Sequence, residues 1–319
     1  MKTFLLLAAF GVANAAPLDA QSPQSDQGKK LFDDKRYAEA RAVLQPVGSR
    51  EAPAAYLLGR IALEQNDAPK AVDWLEKAVS MNPRSSVYYG WLGRAYGTQA
   101  QKASKLKQPF LANKTKAAWE KAIALDPDNL EAKSDMIQYY LQAPGFLGGS
   151  KEKARAMAQE IRKRNPYLGA IAVASVCSEM KDKVCVEREM LSITTTYPDS
   201  AAGPSSLAAF YATNGQYDKS FAVIDQRLKL KPGDPSALYA LGRTASLSGQ
   251  NLDRGVDALT RYIAHPLQGG PAVANAHYRL GMIHEKKGAR DLAKREYQTA
   301  LKLNPGLQDA KKALAALGG

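Results

Sequence analysis

Cysteine and histidine are nearly absent, with two and three in 319 residues. Two cysteines exclude a disulfide-dense scaffold and every zinc cluster built on three or four thiolates. Cys177 and Cys185 stand eight apart rather than in a C-x-x-C pair, which argues against redox catalysis. His277 and His284 lie seven apart on one helical face, a long reach compared with the i, i+4 pair that grips a metal. His265 sits in the loop HPLQGGP with no carboxylate cluster near it in sequence. No metal and no other cofactor is expected. Long apolar runs are also missing. Phe4 to Val12 is the main one, and at roughly ten residues it falls well short of the about 20 that cross a bilayer. Catalytic patterns are equally thin: no Ser-His-Asp ordering or paired-carboxylate motif stands out. The segment Gly145–Lys151, GFLGGSK, misses the phosphate-loop pattern because Ser150 precedes the lysine and Glu152 follows it. It reads as a turn between helices.

What is present begins with an export signature. Lys2, the short apolar core and Ala13-Asn14-Ala15 have the layout of a secretory signal peptide over residues 1–15. The expected location is the periplasm, with the extracellular space as the alternative. No cysteine lies near the cleavage site, which disfavours a lipid-anchored product, and no transmembrane segment is expected after cleavage. Residues 16–27, APLDAQSPQSDQ, are polar and aperiodic and read as a flexible leader. Without Lys2, 43 basic residues face 31 acidic ones, a net charge of +12 that favours acidic partners or anionic surfaces.

The segment Ala54–Pro83 shows how the rest is organised. Leu58-Gly59 and Ala62 mark a first helix, Gln65-Asn66-Asp67 a polar turn, and Ala71, Leu75 and Ala78 a second helix closed by Asn82-Pro83. Gly59 and Ala71 are expected to face each other, allowing close helix approach. Proline stops the second helix. The pattern recurs: Pro166 to Pro198 is 32 residues and Pro198 to Pro232 is 34. In one unit the partner segment Trp119, Ala122 and Pro127 arrives ten residues late. Both of its helices are therefore expected to be extended and the hairpin to protrude.

This pattern resembles the tetratricopeptide repeat family, whose unit is a helix–turn–helix of about 34 residues. The resemblance covers residues 28–319 and implies an all-α, right-handed superhelical solenoid of about eight hairpins. Residues 308–317 would form a C-terminal helix covering the last apolar face. Residues 139–154, YYLQAPGFLGGSKEKA, with the long third hairpin also look like exported bacterial repeat proteins.

In this family the residue after the Leu-Gly pair, and the one four positions before that residue, project into the concave groove. Carried over, Arg60, Arg94 and Arg243 would line the groove, with Tyr56, Tyr239 and Tyr278 beside them. The arginines could grip carboxylates of a protein partner, or be solvated surface. Tyr56 and Trp91 stand where some relatives carry the Lys and Asn that clamp chaperone C-termini, so that ligand is not supported. Lys102, Lys105, Lys107, Lys114 and Lys116 form a basic surface on the third hairpin, either a solvated face or a contact for anionic envelope lipid, lipopolysaccharide or acidic protein. Nucleic acid is not an expected partner, because no nucleic-acid module is present. Cys177 and Cys185 flank the turn Lys181-Asp182-Lys183 symmetrically, as a disulfide across a hairpin or as two buried small residues. A bridge of this kind resembles those of secreted cysteine-rich helical-repeat proteins.

The resulting expectation is a non-catalytic, exported adaptor that holds a protein segment in its groove. The alternatives are an envelope-surface protein acting through the basic hairpin, and an enzyme or enzyme subunit with a groove-borne site.

Overall fold

The computed structural model describes residues 22–269 and 271–318, so the signal-peptide reading lies outside it. Among the described residues the chain is all helical and falls into two compact units that meet between Arg164 and Asn165. The first unit holds α1 (Pro23–Asp33), α2 (Tyr37–Leu44), α3 (Ala52–Glu64), α4 (Ala68–Met81), α5 (Ser86–Lys102), α6 (Gln108–Leu125), α7 (Leu130–Gln142) and α8 (Lys151–Arg164). The second holds α9 (Pro166–Glu179), α10 (Lys183–Thr196), α11 (Ala202–Thr213), α12 (Tyr217–Leu230), α13 (Pro235–Ser248), α14 (Leu252–Ala264), α15 (Val273–Lys286), α16 (Arg290–Leu303) and α17 (Gln308–Ala316). Each unit is a run of four antiparallel hairpins, and α17 packs on α16 at the end of the second.

Most of the hairpins share one construction. Between first and second helix the chain turns into the left-handed region at Lys35, Asn66, Gly148, Lys181, Gly215 or Gly288, and at both Gly249 and Asn251 between α13 and α14. Glycine and asparagine enter that region at little cost; Lys35 and Lys181 do so against Cβ–carbonyl repulsion. An N-cap follows in several hairpins, as where the Asp67 carboxylate accepts the Lys70 N–H at 3.3 Å.

Close packing within a hairpin rests on a larger side chain than Ala71. A Cβ on Gly59 would lie 2.5 Å from Leu75 Cγ, so the glycine is a socket for a large side chain one turn further along α4. The same socket recurs at Gly28 under Leu44, Gly93 under Trp119, Gly242 under Leu259 and Gly281 under Tyr297. Each is a close approach that only a residue without Cβ permits.

The flexible leader ends sooner than expected. Pro23 to Gln27 belong to α1, which Ser22 caps by accepting the Ser25 N–H at 3.2 Å. Glu51 then ties that cap down, accepting the Ser22 hydroxyl at 2.9 Å and the Ser25 hydroxyl at 2.5 Å.

The third hairpin is long, with 17 and 18 residues in α5 and α6 against 13 and 14 in α3 and α4. Its tip has company on one side. The α7–α8 connection makes a 3-10 turn at Gly145–Leu147, and its Ala143 packs on the Trp119, Met136 and Tyr139 cluster. Ser150 caps α8 through the Lys153 N–H at 3.2 Å.

Candidate functional site

In the first unit, α3, α5 and α7 contribute one face. Tyr56 and Arg60 are a helical turn apart on α3, and Trp91 and Arg94 sit three apart on α5, so each pair shares a side of its helix. The Arg60 guanidinium carbon lies 4.2 Å from the Trp91 ring centroid and 4.5 Å from that of Phe32. Its Nη1 donates to the Tyr56 hydroxyl at 3.2 Å, and its buried Nε has no acceptor. Tyr56 stacks on Tyr88 with centroids 4.9 Å apart, and burial pushes its hydroxyl pKa up.

Arg94 covers the Trp91 ring at 4.5 Å, yet it is not free. Its Nε donates to Asp135 at 2.6 Å and its Nη2 faces Glu131 at 3.3 Å. Burial raises the Asp135 carboxyl pKa, although the Arg94 charge pulls it the other way. The cavity over these residues is about 420 Å³, and Asp126, Asp128, Glu131 and Asp135 outnumber Arg60 and Arg94 in its wall. Of the expected groove arginines, the two in the first unit are therefore already engaged, Arg60 by aromatic rings and Arg94 by carboxylates.

The second unit is the opposite case. Arg243 on α13 donates to the Ala209 carbonyl at 3.3 Å and the Thr213 hydroxyl at 2.9 Å, both neutral. Burial and the nearby charge of Arg279 push its guanidinium pKa down from the ordinary value. Arg279, on α15, meets only the Met282 sulfur, at 3.2 Å, and its buried Nε has no partner. Among the described residues neither arginine has a carboxylate partner. Tyr239 and Tyr278 flank the pair: Tyr239 leans on Tyr262 with centroids 5.2 Å apart, and Tyr278 on Tyr297 at 5.9 Å. Arg279 lies 5.2 Å from the Tyr278 ring centroid.

The repeat construction is matched at the sequence level as well. Residues 25–86 and 274–307 fit two patterns of the tetratricopeptide repeat family. The chain carries tetratricopeptide repeats at these two places. A tetratricopeptide repeat protein from Parabacteroides merdae has the same fold, with a TM-score of 0.55 at 14% identity over 84% of this chain and 99% of that one. The C-terminal part of a repeat-containing protein from Cytophaga hutchinsonii aligns with a TM-score of 0.46 at 13% identity over 91% of this chain and 99% of that one. A human protein O-mannosyl-transferase is 34% identical over 113 residues. That stretch is 35% of this chain and 12% of the human protein, so this chain matches about an eighth of that relative.

The other expected residues of this repeat protein are dispersed. Lys102 donates to the Asn66 carbonyl at 2.9 Å and to its side-chain oxygen at 2.5 Å. Lys114 reaches Glu76 at 3.5 Å, and Lys116 reaches Glu120 at 3.5 Å. Lys105 and Lys107 at the tip have no ion pair among the described residues. Cys177 and Cys185 are joined with Cα atoms 5.9 Å apart, inside the range a bridge accepts. His277 is half-buried and bonded to Glu296 at 2.6 Å, a polar tie between α15 and α16 rather than core packing. Among the described residues no helix is long and apolar enough to cross a membrane.

Arg279 escaped the sequence reading because the eighth unit has Met282, not arginine, after its Leu-Gly pair. The signal was available: Arg279 follows Tyr278, one of the groove tyrosines.

Proposed function

We propose that the protein is a non-catalytic interaction scaffold that holds an acidic segment of a partner protein on the second unit, at Arg243 and Arg279. What carries this reading is two neighbouring guanidiniums with no carboxylate of their own. Holding two like charges together with neutral partners costs free energy that an incoming carboxylate would return. Arginine can take that carboxylate through two parallel bonds, and Tyr239 and Tyr278 offer rigid aromatic area beside it. The first unit fits an acidic segment poorly, since Arg94 is already neutralised by Asp135 and Glu131. We further propose export to the bacterial envelope, in the periplasm, on the strength of residues 1–15.

The test is fluorescence anisotropy with labelled acidic and basic peptides of matched length. The acidic peptide should bind, and Arg243→Ala or Arg279→Ala should weaken it at least tenfold, since losing a desolvated charged contact costs about 2–5 kcal/mol. Arg94→Ala should bind as wild type. Equal binding of basic peptides, or no effect of Arg243→Ala and Arg279→Ala, would refute the assignment.

A further inference from the structure

The tip of the third hairpin exposes apolar side chains that the repeat construction does not require. Leu106 is 94% exposed, Phe146 82% and Phe110 63%. The α7–α8 connection lies beside the tip, across a groove of about 690 Å³ with Lys105, Gln108 and Pro109 on one wall and Pro144, Phe146 and Leu147 on the other. Phe110 lies on the far face of α6, where Lys114 covers its ring at 5.2 Å.

Both segments are fixed in place. Ser104 O accepts the Lys107 N–H at 2.8 Å and the Gln108 N–H at 3.1 Å, which closes the turn that carries Leu106. On the other side the Tyr139 hydroxyl donates to the Leu147 carbonyl at 2.7 Å, and the Ser150 N–H to the Tyr140 carbonyl at 2.9 Å. Gly149 packs so closely on the Ala143 carbonyl that no Cβ could stand there. Phe146 is thus held outward by a turn that has no slack to withdraw it.

Charge surrounds these side chains with one dominant sign. No acidic residue occurs between Lys77 and Trp119, and none between Ala143 and Lys151. Lys105 and Lys107 bracket Leu106. Near the tip, Asp67 is paired with Lys70 at 2.8 Å, and beside the α7–α8 connection Glu120 is paired with Lys116 at 3.5 Å.

We propose that this edge docks on an anionic phospholipid bilayer, with Leu106 and Phe146 entering the interface and Lys105 and Lys107 meeting phosphate headgroups. Apolar side chains on fixed turns, flanked by the two lysines without an ion pair, match the two components of peripheral membrane binding. A protein partner for the same apolar edge would leave the lysines without counter-charge unless it were acidic too, whereas an anionic bilayer supplies both phases.

The experiment is co-sedimentation of the whole protein with vesicles of phosphatidylglycerol and phosphatidylcholine, against vesicles of phosphatidylcholine alone. Wild type should bind the anionic vesicles and be released by salt. Lys105→Ser with Lys107→Ser should weaken partitioning by roughly fivefold per lysine. Leu106→Ser with Phe146→Ser should weaken it more than tenfold, also at low salt. Leu303→Ser, an exposed site in the second unit, should change nothing, and circular dichroism should show all variants folded. Wild-type partitioning by Leu106→Ser with Phe146→Ser would overturn the proposal, as would no binding to anionic vesicles. Uptake of dispersed palmitate without vesicle binding would also overturn it, assigning the groove to a single amphiphile instead.

Discussion

Gly90 and Gly93 lie one turn apart on α5, and replacing each with alanine should move stability in opposite directions. Alanine is favoured over glycine in a helix interior by about 1 kcal/mol, so propensity alone makes both substitutions stabilising. At Gly90 nothing opposes that gain, because the nearest atom to a new Cβ would be Asn129 Nδ2 at 3.9 Å. At Gly93 a Cβ would sit 2.5 Å from Trp119 Nε1, 2.6 Å from Cδ1 and 2.9 Å from Cε2. Ordinary contact begins near 3.4 Å, so the indole would have to move by most of an ångström. It is poorly placed to move. Trp119 is buried, and its Nε1–H donates to the Gly90 carbonyl at 3.0 Å. Overpacking of a core costs about 1–3 kcal/mol, and losing the indole hydrogen bond costs about 1 kcal/mol more.

The net expectation is that Gly93→Ala loses about 2 kcal/mol while Gly90→Ala gains up to about 1 kcal/mol. For a unit of this size that is a fall in Tm of roughly 4–8 °C against a rise of a few degrees. Thermal melts by circular dichroism give the comparison, and because stacked repeats need not melt as one, amide exchange in α5 and α6 localises the loss. A Gly93→Ala protein melting at or above wild type would refute the socket reading. So would an equal response of the two variants.

Other expectations follow from single contacts. Glu51 is held below the usual carboxylate range: burial works against this, but the Ser25 and Ser22 hydroxyls and the Ser22 N–H prevail. Its contribution is thus complete above the unfolded value of about 4.3 and is lost as pH falls through the lower folded value. Amide exchange in α1 should accelerate on acidification below about pH 4, and Glu51→Gln should show the faster exchange already at neutral pH. Arg227 and Asp234 are buried together, with Nε to Oδ2 at 2.6 Å and Nη1 on the Pro198 carbonyl at 2.7 Å. Arg227→Met should cost about 3–5 kcal/mol by leaving Asp234 uncompensated, and an unchanged denaturation midpoint would contradict this. Thiol labelling of the unreduced protein after denaturation should find no free cysteine, and reduction should loosen α9 and α10 by about 2–3 kcal/mol. Lys181→Gly should relieve the left-handed turn and raise stability by up to about 1 kcal/mol.

How much of this was legible in the sequence depends on the range of the interaction. Helices, turns and the long third hairpin could be read because their causes are local: a closing proline, a capping aspartate, a ten-residue delay before Trp119. The packing inside a hairpin was half legible. Gly59 announced a close approach, but which residue fills it depends on the stagger of α3 against α4, and Leu75 lies one turn beyond Ala71. The leader was misjudged for the same reason. Ser22 and Ser25 look like linker until Glu51, 29 residues later, is brought onto them. Electrostatics was the least legible level. The arginines after the Leu-Gly pairs share a sequence context, yet Arg94 finds Asp135 on an adjacent hairpin, Arg60 finds aromatic rings, and Arg243 finds another arginine. A repeat fixes where a side chain points. The neighbouring repeat fixes what it meets, so equal motifs end with unequal charge, and the open cations occur where the one carboxylate of the adjacent inner helix, Glu285, is taken by the Tyr297 hydroxyl.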